Sequence, residues 1–248
     1  PWSATTGYQA MLLAEHGLTG FEDILDHKPY YDAERILAGL SQEAPKICTT
    51  YFKPYATCRH IHGALRALEK LITDHELRPE TIEKIDVHIF DYALLLPNKR
   101  QPETLTDIQY SIPYCLAVAS ICGGNALLPA DASLLNRADI SELAERIAVH
   151  ADPELSKFFS STPRRTLARV EITSGGRKIS SPVTAPHGGS ESPMSPQELE
   201  EKFRFATRRL LSRDAQQQVI DAVSQLRRGD SGSLLTLLRR EMLPSAAV

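Results

Sequence analysis

Long runs of any single character are missing from this chain of 248 residues. No block of like charges occurs, and 28 basic against 31 acidic side chains leave a formal net charge of −3. That balance argues against a nucleic-acid footprint and against a polybasic membrane anchor. No apolar stretch reaches the ~20 residues of a membrane-spanning helix, and nothing reads as a signal peptide. The longest apolar stretch, residues 112–121, is interrupted by Pro113 and Ser120 and reads as a buried core helix. Cysteine is scarce: Cys48, Cys58, Cys115 and Cys122 are the four, and none forms a C-x-x-C pair. A chain this long needs no disulfide staples, so reduced thiols in an intracellular protein, cytoplasmic or mitochondrial, are expected. Also missing are G-x-S-x-G, the phosphate-binding P-loop, H-E-x-x-H and the dinucleotide fingerprint. A nucleotide cofactor is therefore not expected.

Hydrophobic residues make up 42% and charged residues 24%, which suits one large or two modest globular domains. Residues 3–16 carry helix formers and stop at Gly17. Short helical stretches follow at 21–25 and 31–40. Residues 48–55 are rich in Thr, Tyr and Phe and read as extended. Residues 62–76 form an amphipathic helix with Leu65, Leu68, Leu71 and Ile72 on one face. Ile85, Val87 and Ile89 alternate with polar neighbours, the period of a strand. Residues 107–122 predict one buried helix, and Ile140, Leu143, Ala144 and Ile147 another. A hairpin is expected from 167–173 through Ser174-Gly175-Gly176 to 177–183. Residues 186–193 read as a Gly/Ser/Pro hinge. Ser195-Pro196-Gln197-Glu198 is a capping box opening a helix, and a last helix covers about 214–227. The fold class is mainly α with an α+β insert inside a helical domain.

Three segments can carry chemistry. The densest, 52–62, packs Lys53, Arg59, His60 and His62 into a turn leading to a helix. Cations there can grip carboxylates, and a desolvated Lys or His can move a proton near neutral pH. A solvated basic turn with a capping histidine accounts for the same residues equally well. A metal held by Cys58, His60 and His62 is the weaker reading, for want of a fourth ligand. The second segment holds Tyr110, Ser111 and Tyr114 at the mouth of an apolar helix. A tyrosine hydroxyl there can donate a proton, although ordinary packing explains it better. In the third, the amides of His187-Gly188-Gly189 can contact an anion, but a hinge is the simpler account.

Taken together, these segments resemble a known family. Lys53-Pro54-Tyr55 with Cys58-Arg59-His60-Ile61-His62 resembles the K-P-Y-x-x-C-R-H-x-H segment of the MmgE/PrpD enzymes. Gln109-Tyr110-Ser111-Ile112-Pro113-Tyr114 is similar to their Q-[FY]-S-[LI]-P-Y. Gly17-Leu18-Thr19-Gly20 resembles their G-L-T-G-P turn, with Phe21 in place of proline. Residues 193–203 are similar to N-P-[ML]-S-x-x-E-L-x-x-K-F. The four segments follow the family order.

The resemblance implies an all-helical domain with a smaller α+β lid, placed here as the end of the helical domain at 1–47, the lid at 48–187 and returning helices at 188–248. It implies a cofactor-independent, homodimeric lyase or isomerase. Such an enzyme acts on a di- or tricarboxylic acid by proton transfer next to a carboxylate, like 2-methylcitrate dehydratase, cis-aconitate decarboxylase or iminodisuccinate epimerase. Lys53 and Tyr114 match active-site positions. His60 or His62 would hold or relay a proton, and Arg59, Cys58 and Tyr110 would bind substrate. Cys58 stands where the decarboxylases carry a histidine, which weakens a decarboxylase assignment; the F-P-A-E-F-H version of the best-known methylcitrate dehydratases is absent as well, and a dehydratase-like reaction is the expectation. The family is nearly twice as long, and the chain opens at Pro1 without methionine. A piece of a longer enzyme, inactive alone, is therefore expected. The alternative is a non-catalytic remnant kept for binding or dimerisation.

Overall fold

The structure, a computed structural model, describes residues 2–40 and 45–239, so Pro1 lies outside it. The chain divides into two units, residues 1–48 and 49–248.

In the first unit, α1 (Trp2–Glu15) ends as Gly17 takes φ +88° and the Leu18 N–H reaches back to Leu13 O at 3.0 Å. That six-to-one bond satisfies a terminal carbonyl of the helix and needs a left-handed residue, which glycine supplies without strain. The helical stretch expected at 21–25 is a single 3-10 turn, Ile24–Asp26. The next helix, α2 (Ala33–Leu37), is shorter than expected and is capped by the Asp32 side chain, which accepts from Arg35 N. Neither helix buries a residue, and Trp2, Phe21 and Tyr30 are each more than 80% exposed.

The second unit carries the core. In chain order it holds α3 (His62–Asp74), β1 (Ile82–Ile89), α4 (Leu105–Gln109), α5 (Ile112–Cys122), α6 (Ala138–Glu145) and β2 (Ile147–Ala151). Then come α7 (Pro153–Ser160), β3 (Ala168–Ser174), β4 (Arg177–Ser180), α8 (Pro196–Thr207), α9 (Arg213–Leu226) and α10 (Gly232–Arg239). The sheet runs β2-β1-β3-β4. β1 pairs parallel with β2, Val87 opposite Val149, and antiparallel with β3, Val87 opposite Val170. The parallel pair requires a crossover, and α5 and α6 supply it. Helices α3 and α5 pack on the sheet through Leu65, Leu68, Leu116, Ile85, Val87, Val170 and Ile172, all fully buried. The alternate side chains Lys84, Asp86, His88, His150, Glu171 and Lys178 form ion pairs on the other face. The hairpin falls as expected, with Gly175 and Gly176 both at positive φ, the conformation that a two-residue turn between twisted strands requires. The capping box at Ser195 also forms as read, both of its hydrogen bonds being present. The architecture is mainly α with an α+β insert.

Several expectations need correction. The single helix expected at 107–122 is two, α4 and α5, because Pro113 has no N–H to offer Gln109 O. That carbonyl instead accepts from Cys58 N at 2.9 Å, while Ser111 caps the new helix through Tyr114 N. The helix expected around 140–147 ends at Glu145, and the following residues become β2, whose run of only five hides its period. The segment expected to be extended, 48–55, joins no sheet: its start falls in a 3-10 turn, Lys46–Thr49, and Phe52, about half exposed, bonds through its N–H to Gly188 O at 2.9 Å. Helices α7 and α10 escaped the sequence reading. The expected hinge at 186–193 is a bonded turn: Gly188 N donates to Ser192 O at 2.8 Å and Ser192 N to Gly189 O at 3.0 Å.

Truncating Leu68→Ala at the buried centre of α3 should cost about 2–5 kcal/mol, read as a lower denaturant midpoint at unchanged slope. Leu13→Ser, on exposed α1, should leave the midpoint within ~0.5 kcal/mol and reduce self-association in sedimentation.

Candidate active site

The basic turn is organised by one backbone carbonyl. Lys53 Nζ donates to Thr57 O at 3.0 Å, and His62 Nε2 meets the same oxygen at 3.3 Å and Thr57 Oγ1 at 3.2 Å. A carbonyl only accepts, so Nε2 carries the hydrogen of the neutral ring and Nδ1 holds the lone pair. Nδ1 is buried with no hydrogen-bond partner. Burial, then the neighbouring Arg59 and the more distant Lys53 and Lys202, push the His62 pKa down to about 3. His62 is therefore a fixed neutral group.

Arg59 stacks over the Tyr51 ring at 4.4 Å and donates through Nη1 to His187 O at 2.8 Å. Gly188, at φ +87°, accepts from Phe52 N, and a side chain there would meet Phe52 O at 2.0 Å. The His187-Gly188-Gly189 turn thus clamps the segment bearing Lys53 and Arg59. Its contact is through carbonyls, not through the anion-seeking amides that the sequence suggested.

Beside this clamp lies a cleft of about 290 Å³ lined by Pro54, Tyr55, His62, Arg66, Glu69, His187 and Glu198. His62, Arg66 and Glu69 fall at i, i+4 and i+7 on α3, one helical face; that spacing was readable in the sequence and went unread. Tyr55 Oη donates to Glu69 Oε2, and burial raises the pKa of both groups. Gly124 leaves the room for this pair: a side chain there would stand 2.0 Å from Glu69 Oε1. His187 Nε2 lies 2.8 Å from Glu198 Oε1 and its Nδ1 3.0 Å from Ser192 Oγ. The hydrogen bonds of Ser195 N–H and His187 hold the Glu198 pKa down at about 2. Among the described residues, none of Lys53, Arg59, Arg66 and Lys202 forms an ion pair with a carboxylate.

The structure gathers Lys53, Arg59 and His62 but not the rest of the predicted set. His60 points into a separate aromatic cluster, edge-on to Phe90, Tyr92 and Phe159 at 5.2–5.7 Å, with Nδ1 buried and without a hydrogen-bond partner. Burial and then Arg164 lower its pKa. Tyr114 is fully buried, and its hydroxyl donates to Leu134 O inside the core. Cys58 is half-buried, touching the α4 end through its N–H to Gln109 O. Tyr110 is 43% exposed at the α4–α5 junction. No cluster of three His, Cys, Asp or Glu side chains fit for a metal occurs among the described residues. No helix there is long and apolar enough to cross a membrane.

The buried neutral His62 sets a pH dependence. Its folded pKa lies below the unfolded value of ~6.5, so only the unfolded state takes up this proton between about pH 6.5 and 3. Stability should fall with acidification across that window by at most ~1.4 kcal/mol per pH unit, and not above it. His62→Gln should show a shallower loss between pH 7 and 4.5 in denaturant titrations; an equal slope would remove His62 as the cause.

The sequence profile of the MmgE/PrpD C-terminal domain matches residues 55–228. The chain is also similar to the cis-aconitate decarboxylase of Mus musculus, 25% identical over 254 residues, covering 95% of this chain and 50% of that protein. The Homo sapiens cis-aconitate decarboxylase is 22% identical over 256 residues, covering 98% of this chain and 52% of the relative. The chain spans about half the length of the curated relatives it matches. With the domain match extending over residues 55–228, the chain belongs to the MmgE/PrpD family.

Proposed function

We propose that this chain supplies one wall of a polycarboxylate site in a lyase that moves a proton next to a carboxylate. The observation that carries the reading is the set of four cations, Lys53, Arg59, Arg66 and Lys202, near a histidine too depressed to charge and without carboxylates of their own. Unpaired cations beside a cleft favour an anionic ligand, and arginine suits a bidentate carboxylate. A proton next to a carboxylate is weakly acidic, so fixed positive charge must stabilise the enolate-like transition state. Lys53 and Arg59 would do so here. Substrates related to cis-aconitate accord with the names of the two relatives. Cys58, in the place where the resemblance expects a histidine in decarboxylases, weighs against decarboxylation, and a dehydration like that of 2-methylcitrate dehydratase is the reading we favour. A homodimer is proposed on the same resemblance.

The test takes two steps. On this chain, tricarballylate should bind weakly, with Lys53→Ala and Arg59→Ala each weakening it about 10-fold, the share of one charge contact. Methylcitrate, cis-aconitate and iminodisuccinate should not be turned over by this chain alone. In a protein of the relatives' full length, Lys53→Ala should lower kcat/KM at least ~10²-fold. Binding without turnover at full length would favour the non-catalytic remnant, and unaltered binding in both variants would end the anion-site reading.

A further inference from the structure

A reaction of this class needs a side chain that gains and gives a proton. Three of the candidates read from the sequence are unsuited. His62 has its lone-pair nitrogen sealed, His60 faces an aromatic cluster, and Tyr114 spends its hydroxyl inside the core. Lining the cleft, half-buried, is another histidine with a partner on each ring nitrogen, His187. We propose that His187 is the residue that takes up a proton when a polycarboxylate enters this cleft, with Glu198 and Ser192 as its positioning partners. The inference rests on the polycarboxylate reading given above.

The geometry fixes the tautomer. An ionised carboxylate only accepts, so His187 Nε2 donates to Glu198 Oε1 at 2.8 Å. Nδ1 is then the basic nitrogen, and the Ser192 hydroxyl, 3.0 Å away, donates to it. A carboxylate behind the ring stabilises the imidazolium that forms when Nδ1 is protonated. Glu198 is itself tied down, its second oxygen accepting from Ser195 N at 2.7 Å in the capping box of α8.

Other charged groups surround the ring. From α3 come Arg66, whose Nη1 lies 3.4 Å from Ser192 Oγ, together with neutral His62 and Glu69, whose pKa burial raises and which accepts from the Tyr55 hydroxyl. From the basic turn come Tyr55 and Arg59, the latter held on the His187 carbonyl. Lys202 lies one turn beyond Glu198 on α8. Glu191 is paired to Arg165. Arg66 and Glu198 thus lie on the two sides of the ring's hydrogen bonds. A bound polycarboxylate adds negative charge beside them. A proton from solvent then adds to Nδ1, an N–H bond forms, and the Ser192 hydroxyl turns from donor to acceptor. The resulting imidazolium stands beside the bound acid as a proton source for a leaving hydroxyl.

The experiment follows fumarate, fully ionised from pH 6 to 8, by NMR on this chain. Affinity at pH 6 should exceed that at pH 8 by roughly 10-fold, the effect of one titrating charge. The His187 ring resonance should titrate at higher pH with fumarate than in chloride of equal ionic strength. His187→Asn should flatten the pH dependence of affinity, and Glu198→Gln should move it to lower pH. The wild-type ring resonance decides the matter should either variant fail to fold. Binding with no pH dependence, with an unshifted His187 titration, or with a dependence that survives His187→Asn overturns this inference and leaves the anion site standing. No fumarate binding at any pH overturns the polycarboxylate reading, and this inference with it.

Discussion

The first turn of α3 enters the core fully buried, and the candidate site follows from that constraint. His62, Gly63, Ala64 and Leu65 are all inaccessible, and a side chain on Gly63 would press within 3.0–3.1 Å of the carbonyls of Thr166 and Thr184. A helix start normally leaves N–H groups and a positive dipole end for solvent or an anion. Here that end is packed against the chain entering β3 and the chain leaving β4. The chain arriving at it must reverse within the few residues before His62, which brings Lys53 and His62 onto the same Thr57 carbonyl. Burial of the imidazole then forbids its charge, and the neighbouring cations reinforce this.

Keeping like charges together has a cost, and the turn meets it through the main chain. Arg59 is neutralised only in part, by the His187 carbonyl dipole and the Tyr51 ring face. Carbonyl dipoles hold a guanidinium in place without cancelling its charge, so the positive field stays available to a ligand. Glu69 and Glu198, the carboxylates of the cleft, are committed elsewhere: one to the Tyr55 hydroxyl, the other to a histidine and a helix cap. Arg66 lines the cleft beside these two carboxylates, and Lys53 and Arg59 stand on the adjoining turn.

Much of this was legible beforehand, for identifiable reasons. Strand β1 and the β3–β4 hairpin announced themselves by period-2 patterning and a Gly-Gly turn, and Ser195 to Glu198 by the capping box. Strand β2 was hidden because its five residues follow α6 directly and complete an apparently continuous helical pattern. The site was read in part. The K-P-Y-x-x-C-R-H-x-H segment pointed to Lys53, Arg59 and His62, but adjacency in sequence also drew in His60, whose side chain faces the Phe90–Phe159 stack. Residues 128 positions apart, such as Arg59 and His187, meet through a side chain and a carbonyl, and no local pattern encodes such a pair. The places of Glu198 and Arg66 in the cleft were similarly concealed, the first behind its capping function and the second inside an amphipathic stripe.

The two margins of the sheet bear on how molecules of this chain meet one another. At one margin β4 offers four residues, Arg177 and Lys178 among them; at the other, β2 offers five before Asp152-Pro153 ends the line. Short, charged or proline-stopped margins are poor templates for another strand. Margins built this way give little purchase to strand addition and to the stacked growth of a fibril.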